Sequence, residues 1–330
     1  MATTGETFDR NCRDAAAAAA GYRSAMIHTV MNRADWAILA ALALIWGAAF
    51  LFIKVAVTHF EPLTYVWLRL SIAAAGLALL LRWRGERLAL PGAVWASILL
   101  LALLNNIIPF ALFGWGQTRI ASGLASILNA TTPVWGVLVT HLMTRDEKMT
   151  PAKLFGVAAG FAGVAVMIGP GLLSNLGSDL MAQLACLAGA FCYAIAGAWA
   201  RRFKAQGIAP MKVAAAQLIV GALVMAPVVL AVDGRPVLDV PAEAWGALIA
   251  LALLCTAFAY ILYFKLIDSA GATNALLVTL LVPPVAILLG SLALGEKLGL
   301  ASFAGLALIA VGLAAIDGRL PAAGRRLLPA

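Results

Sequence analysis

The sequence predicts an all-α integral membrane protein of ten transmembrane helices, built as two inverted five-helix repeats. Three observations point there. Apolar residues are in excess. They fall in long runs whose links alternate between basic and nearly uncharged. The two halves also repeat one pattern of polar, proline and glycine positions.

Hydrophobic residues fill 63% of the 330 positions and charged residues 12%. Soluble domains carry about 45–50% apolar and about 25% charged residues. A soluble core cannot hide that excess, so much of the surface faces a lipid bilayer. The net charge of +8 does not indicate nucleic acid as a partner, because Lys and Arg sit between apolar runs and not on one soluble face. Cys12, Cys186, Cys192 and Cys255 show no CxxC spacing, and the last three lie inside apolar runs as buried thiols. No metal or cofactor is expected.

A span needs about 20 apolar residues to cross about 30 Å of hydrocarbon. Suitable runs occupy 36–57, 62–81, 93–117, 120–142, 153–170, 179–200, 209–232, 242–265, 270–294 and 300–317. Runs this long satisfy their backbone groups as helices, and no alternating pattern suggests a barrel. Residues 1–34 carry Asp9, Arg10, Arg13 and Asp14 with no apolar core behind them, which excludes a secretory signal. They read as a disordered cytoplasmic tail, or as a start misassigned upstream of Met26 or Met31. The repeats then cover 35–170 and 179–317, with a short tail at 318–330.

Charge orients the chain. A cytoplasmic N-terminus puts 18 of the 23 basic residues on the inside. Lys54, Arg119, Arg235 and Lys297 fall outside, and Arg69 alone lies within a span. A missed or invented mid-chain span would swap every later link, so the bias supports an even count with both termini cytoplasmic.

Trp46, Lys54, Pro62 and Arg69 recur in order as Tyr193, Arg201, Pro210 and Gln217. Pro133, Glu147, Gly156 and Gly163 recur as Pro283, Glu296, Gly305 and Gly312, the last three pairs at one offset of 149. Eight ordered pairs of this kind define an internal repeat. Five is odd, so the second half enters the membrane from the opposite side. Inverted repeats place a site near the midplane and give two rocking arrangements of similar energy.

The run Trp46-Gly47…Phe50…Lys54…Pro62…Arg69, then Ala125…Pro133…Glu147…Gly156…Gly163, with its echo through Pro283, Gly295-Glu296-Lys297, Gly305 and Gly312, resembles the EamA-type transporters of the drug/metabolite transporter superfamily. The resemblance covers about 36–317 and rests on order and duplication. It implies ten helices, both termini in the cytoplasm, and carriage of small metabolites, often amino acids, across a bacterial inner membrane. Asp146, standing where a Gly is common, and the long N-terminal tail depart from the pattern.

Arg69 is the sharpest functional signal. An intramembrane charge costs at least about 2.5–3.5 kcal/mol and usually faces the bundle interior. It reads as a cavity cation for a carboxylate-bearing substrate, or as a structural Arg that binds carbonyls or snorkels outward. None of the 15 acidic residues and none of the three histidines sits in mid-span, so no proton relay is visible. Asn105, Asn129, Gln217 and Asn274 are the chosen amides, because the resemblance puts their spans around a central cavity; equally, such groups glue helices together. Trp46 and Tyr193 hold matching repeat positions and read as cavity walls or plain packing. Pro133 and Pro283 interrupt the fourth and ninth spans, as hinges or as static kinks. Gly156, Gly160 and Gly163, with Gly305 and Gly312, give smooth faces that fit packing within a monomer or a homodimer seam.

A membrane enzyme would need carboxylate pairs, an HExxH helix or an activated nucleophile, and the sequence has no HExxH or DxxD. A channel would need a filter-like loop and oligomeric rings. The expected protein is a secondary transporter, read as an exporter working by alternating access.

Overall fold

The computed structural model describes residues 31–143, 149–168, 178–270, 275 and 278–316. The tail at 1–30, the C-terminal residues from 317, Glu147 and Asn274 lie outside the described residues. The described residues are helical with no strand. In order, the helices are α1 (Arg33–His59), α2 (Pro62–Trp83), α3 (Trp95–Ala102), α4 (Ile108–Gln117), α5 (Ser122–Asn129), α6 (Thr132–Met143) and α7 (Pro151–Ile168). The second half contributes α8 (Ser178–Ala205), α9 (Pro210–Val232), α10 (Ala242–Ile249), α11 (Ala259–Ala270), α12 (Val278–Leu294) and α13 (Leu300–Ile316). A π-helical segment, Leu103–Ile107, joins α3 to α4, and another, Ala250–Phe258, joins α10 to α11.

Seven stretches are long and apolar enough to cross a membrane: Arg33–His59, Pro62–Trp83, Gly92–Gln117, Ser122–Met143, Leu180–Ala205, Pro210–Val232 and Ala242–Ile267. Pro151–Val166, Leu281–Leu294 and Leu300–Ala315 are shorter apolar helices.

Local chemistry sets the helix ends. Asn32 and Asp35 form a capping box that starts α1, each side chain bonding the other's backbone N–H. Pro62 and Pro210 occupy the first turns of α2 and α9, where a missing N–H costs nothing. These same two helices end before Gly85 and Gly234, at φ of 69° and 78°. That left-handed conformation suits glycine and stops a helix sharply. The two stops are one repeat apart.

Packing follows the duplication. The α1–α12 contact is matched by α8–α6, and α4–α8 by α11–α1. The α3–α9 contact is matched by α10 and the start of the second π segment on α2. Each of α2–α9 and α7–α13 joins a helix to its own repeat partner. A Cβ on Gly163 would lie 2.6 Å from the Gly305 carbonyl oxygen, and one on Gly312 would lie 2.5 Å from that of Gly156. Low numbers on α7 therefore meet high numbers on α13, so these repeat-related helices run antiparallel. The glycine faces predicted from sequence are buried against each other within one chain.

Candidate functional site

Arg69 lies two turns into α2 and is only 6% exposed. Its Nε donates to Thr256 Oγ1 at 3.1 Å and its Nη1 to Tyr65 Oη at 3.1 Å. The guanidinium carbon lies 3.5 Å from the Phe110 ring centroid, a close cation–π contact. Among the described residues no carboxylate pairs with Arg69, and nothing hydrogen-bonds its Nη2. The side chain is thus held inside the bundle by neutral partners, with one edge of its fork unfilled. It does not snorkel.

Thr256 sits in the second π segment and donates its own hydroxyl to the Leu251 carbonyl at 2.9 Å. That bond fixes the lone pairs that receive Arg69. A π turn widens the helix by one residue and redirects the side chains beyond it. The first half mirrors the arrangement. Gln217, the repeat counterpart of Arg69, reaches from α9 to the first π segment, where its Oε1 accepts from Asn105 Nδ2 at 3.1 Å and Asn106 Nδ2 at 3.0 Å. The two π segments coincide under the repeat offset: residues 103–107 correspond to 252–256. One cation-centred and one amide-centred contact therefore occupy equivalent places in the bundle.

Tyr260 completes the amide cluster. Its hydroxyl donates to Asn106 Oδ1 at 3.3 Å and accepts from Asn105 Nδ2 at 3.4 Å, within electrostatic reach of Arg69. Tyr193 also lies within that reach and stacks on Phe113, with ring centroids 6.0 Å apart and planes at 17°. Trp46 meets Tyr263 at 5.3 Å between centroids. Trp46, Tyr193, Tyr260 and Tyr263 keep accessible surface, while Phe113 is buried.

The structure thus brings Asn105 and Gln217 together with Asn106 and Tyr260, sets Arg69 with Tyr65 and Thr256 as a second polar cluster within electrostatic reach of Tyr260 and Tyr193, and puts Trp46 on an aromatic wall with Tyr263. It does not bring Asn129 to either cluster. The Asn129 side-chain oxygen instead accepts from Thr132 Oγ1, 3.5 Å away, at the break between α5 and α6. Asn274 lies outside the described residues. Pro133 does interrupt its span. Its ring leaves the Asn129 carbonyl without a helical donor, and Thr132 Oγ1 fills the place at 2.7 Å. Thr131 Oγ1 likewise donates to the Leu128 carbonyl at 2.7 Å. Pro283 behaves otherwise: α12 runs unbroken through Pro283 and Pro284.

Sequence reasoning passed over Thr256, Tyr65 and Asn106 as site residues. Thr256 and Asn106 were visible as intramembrane polar groups, but the π turns that aim them leave no mark in apolar sequence. It also passed over Lys54 and Glu296 as anything but charge and repeat markers. Lys54 Nζ donates to the Gln117 and Ile120 carbonyls at 2.6 and 3.0 Å. The Glu296 carboxylate accepts from Ser122 N and Ser122 Oγ, each at 2.8 Å, and from Gly123 N at 3.3 Å. Gly295, at φ 64°, makes the turn that delivers it. No group of three or more His, Cys, Asp or Glu among the described residues could hold a metal ion.

The apolar helices enclose a cation with no carboxylate partner among the described residues and a set of amides. The EamA-like transporter family model matches residues 35–169 and again 180–316, and the chain belongs to that family. It is similar to "Uncharacterized transporter YoaV" of Bacillus subtilis, 27% identical over 83% of this chain and 93% of that protein. It is also similar to "Uncharacterized inner membrane transporter YedA" of Escherichia coli K12, 27% identical over 79% and 83% of the two chains. A solved structure described as "Crystal structure of protein" overlays with a TM-score of 0.63 at 20% identity, over 88% of this chain and 99% of its own. That last likeness shows the fold alone. The protein is a membrane transporter with two copies of the family domain.

Proposed function

We propose that the chain is a secondary carrier that exports small carboxylate-bearing metabolites, amino acids or related compounds, by alternating access. The observation that carries this reading is Arg69: a buried cation, held by Thr256, Tyr65 and Phe110, with no carboxylate of its own among the described residues. A buried charge without a counter-ion is costly, and a substrate anion is what offsets it. The amides of Asn105 and Gln217 would orient the substrate, and Trp46 and Tyr193 would wall it in. The antiparallel repeat-related helices support a bundle that rocks about an axis in the membrane plane.

The full architecture in this reading has ten spans, both termini in the cytoplasm and a bacterial inner membrane as its home. The positive-charge bias and the inner-membrane name of the Escherichia coli relative support it.

Counterflow of labelled solutes into proteoliposomes tests the carrier reading: it predicts saturable exchange without chemical change. Arg69→Ala should abolish exchange of anionic or zwitterionic solutes while leaving folded protein in detergent. Unchanged exchange in that variant removes Arg69 from the site. Cysteines placed at Gly207 and Leu300 should label from opposite faces, and labelling from one face would overturn the inverted topology.

A further inference from the structure

The geometry points to a substrate that is a net anion, an aromatic or otherwise apolar carboxylate, in preference to a zwitterionic amino acid. This narrows the carrier reading and rests on it.

The first observation is the charge balance of the Arg69 cluster. Arg69 supplies one positive charge, and among the described residues nothing hydrogen-bonds its Nη2. All of the 15 acidic residues of the sequence fall at span ends or in links. A carboxylate placed on Arg69 neutralises the site. An α-ammonium on the same substrate adds back an unbalanced positive charge beside the guanidinium.

The second observation is the hydrogen-bonding character of the groups nearby. Gln217 Oε1 is already shared by the two asparagine nitrogens. The Tyr65 hydroxyl oxygen receives Arg69, and the Phe110 face that an ammonium could use is covered by the same guanidinium. Left without a hydrogen-bond partner among the described residues are the outer nitrogen of Arg69, Asn105 Oδ1 and the Tyr193 and Tyr263 hydroxyls, beside the flat faces of Tyr193, Trp46 and Tyr263. Donor edge plus rings fits a carboxylate joined to an apolar body. Rival seats for an ammonium among the described residues are Asn105 Oδ1 and the Trp46–Tyr263 pair.

The test uses the purified full chain in lipid nanodiscs and three probes of one shape: phenylacetate, L-phenylalanine and phenethylamine. Calorimetric titration should show phenylacetate binding about tenfold or more tighter than phenylalanine, with phenethylamine inert. Arg69→Gln should abolish phenylacetate binding, and Arg69→Lys should weaken it while keeping the anion preference. Lys is included because it retains the buried charge should the Gln variant lose its fold. Equal binding of phenylacetate and phenylalanine, both lost in Arg69→Gln, overturns the anion preference and leaves the carrier reading intact. Tighter phenylalanine binding that falls in Trp46→Leu places the ammonium on the aromatic pair and overturns the inference too. Failure of all three probes at millimolar concentration also overturns it. Binding that ignores every Arg69 variant overturns both readings.

Discussion

Lys54 and Glu296 grip the two ends of a single helix-to-helix link. Lys54 closes the carbonyl end of α4 through Gln117 and Ile120, and Glu296 closes the amide end of α5 through Ser122 and Gly123. Each charge meets the helix terminus of opposite partial charge. The turn between the third and fourth spans is thereby fixed to α1 on one side and to the loop after α12 on the other. A charge-assisted bond of this kind contributes about 1.5–3 kcal/mol. Glu296→Gln should lower the thermal midpoint in detergent, and Lys54→Met should do the same. A double-mutant cycle should return coupling of about 0.5 kcal/mol or more between them, because both act on one link. Strict additivity would show that the link does not transmit.

Thr256 positions Arg69 without needing to touch substrate. Thr256→Val keeps the shape and removes the acceptor at 3.1 Å. The expected result is folded protein with solute affinity weakened about tenfold, the equivalent of about 1.4 kcal/mol. Unaltered affinity would place the guanidinium under the control of Tyr65 and Phe110 alone.

Gln217 satisfies two amides at once. Gln217→Leu strands the Asn106 nitrogen, which is fully buried, and leaves the Asn105 nitrogen only the Tyr260 hydroxyl. A buried donor left without a partner costs about 1–3 kcal/mol, whereas replacing both partners with apolar groups is far milder. Adding Asn106→Leu to Gln217→Leu should therefore recover part of the lost thermal stability. A double variant that is worse by the sum of the two would refute the pairing.

The glycine seam between α7 and α13 has no room for a methyl group. Gly163→Ala and Gly312→Ala should each destabilise by about 1–3 kcal/mol, as overpacking does. Gly136 is the control, since an added Cβ there meets nothing within 4 Å. Equal midpoints for Gly136→Ala and Gly163→Ala would mean the helices stand farther apart.

At the α5–α6 break, Thr132→Val removes the hydroxyl that serves the Asn129 carbonyl at 2.7 Å, while Pro133 keeps the backbone donor absent. The variant should lose stability, and Thr132→Val with Pro133→Ala should regain it by supplying a helical N–H. If the break serves as a hinge, the rescued protein transports more slowly than the parent; equal rates would mark a static kink.

The sequence made the helices legible because burial in lipid is written in long apolar runs, and the duplication legible because Pro, Gly and charged residues are few and therefore informative. Arg69 and Gln217 stood out as polar letters in apolar text, and each sits in one of the polar clusters. Asn129 stood out equally and serves a helix break instead, because which face of a span looks inward is decided by neighbouring helices and not by its own composition. The kink at Pro133 was readable, but the continuity of α12 through Pro283 was not, since a proline can be absorbed where surrounding helices hold the backbone straight. Lys54 and Glu296 were read by their side of the membrane alone; their partners are backbone atoms, which no side-chain pattern announces.

The wide turns in the third and eighth helical stretches carry a historical implication. A π turn is the trace of one residue inserted into a regular helix. Two independent insertions landing on equivalent residues of separate halves would be a coincidence. One insertion in a single ancestral half, copied when that half doubled, needs none. The two halves have since drifted until one turn presents a threonine to a guanidinium and the other presents asparagines to a glutamine. The backbone irregularity is older than the chemistry it now serves, and its side chains are where relatives with other cargoes should differ first.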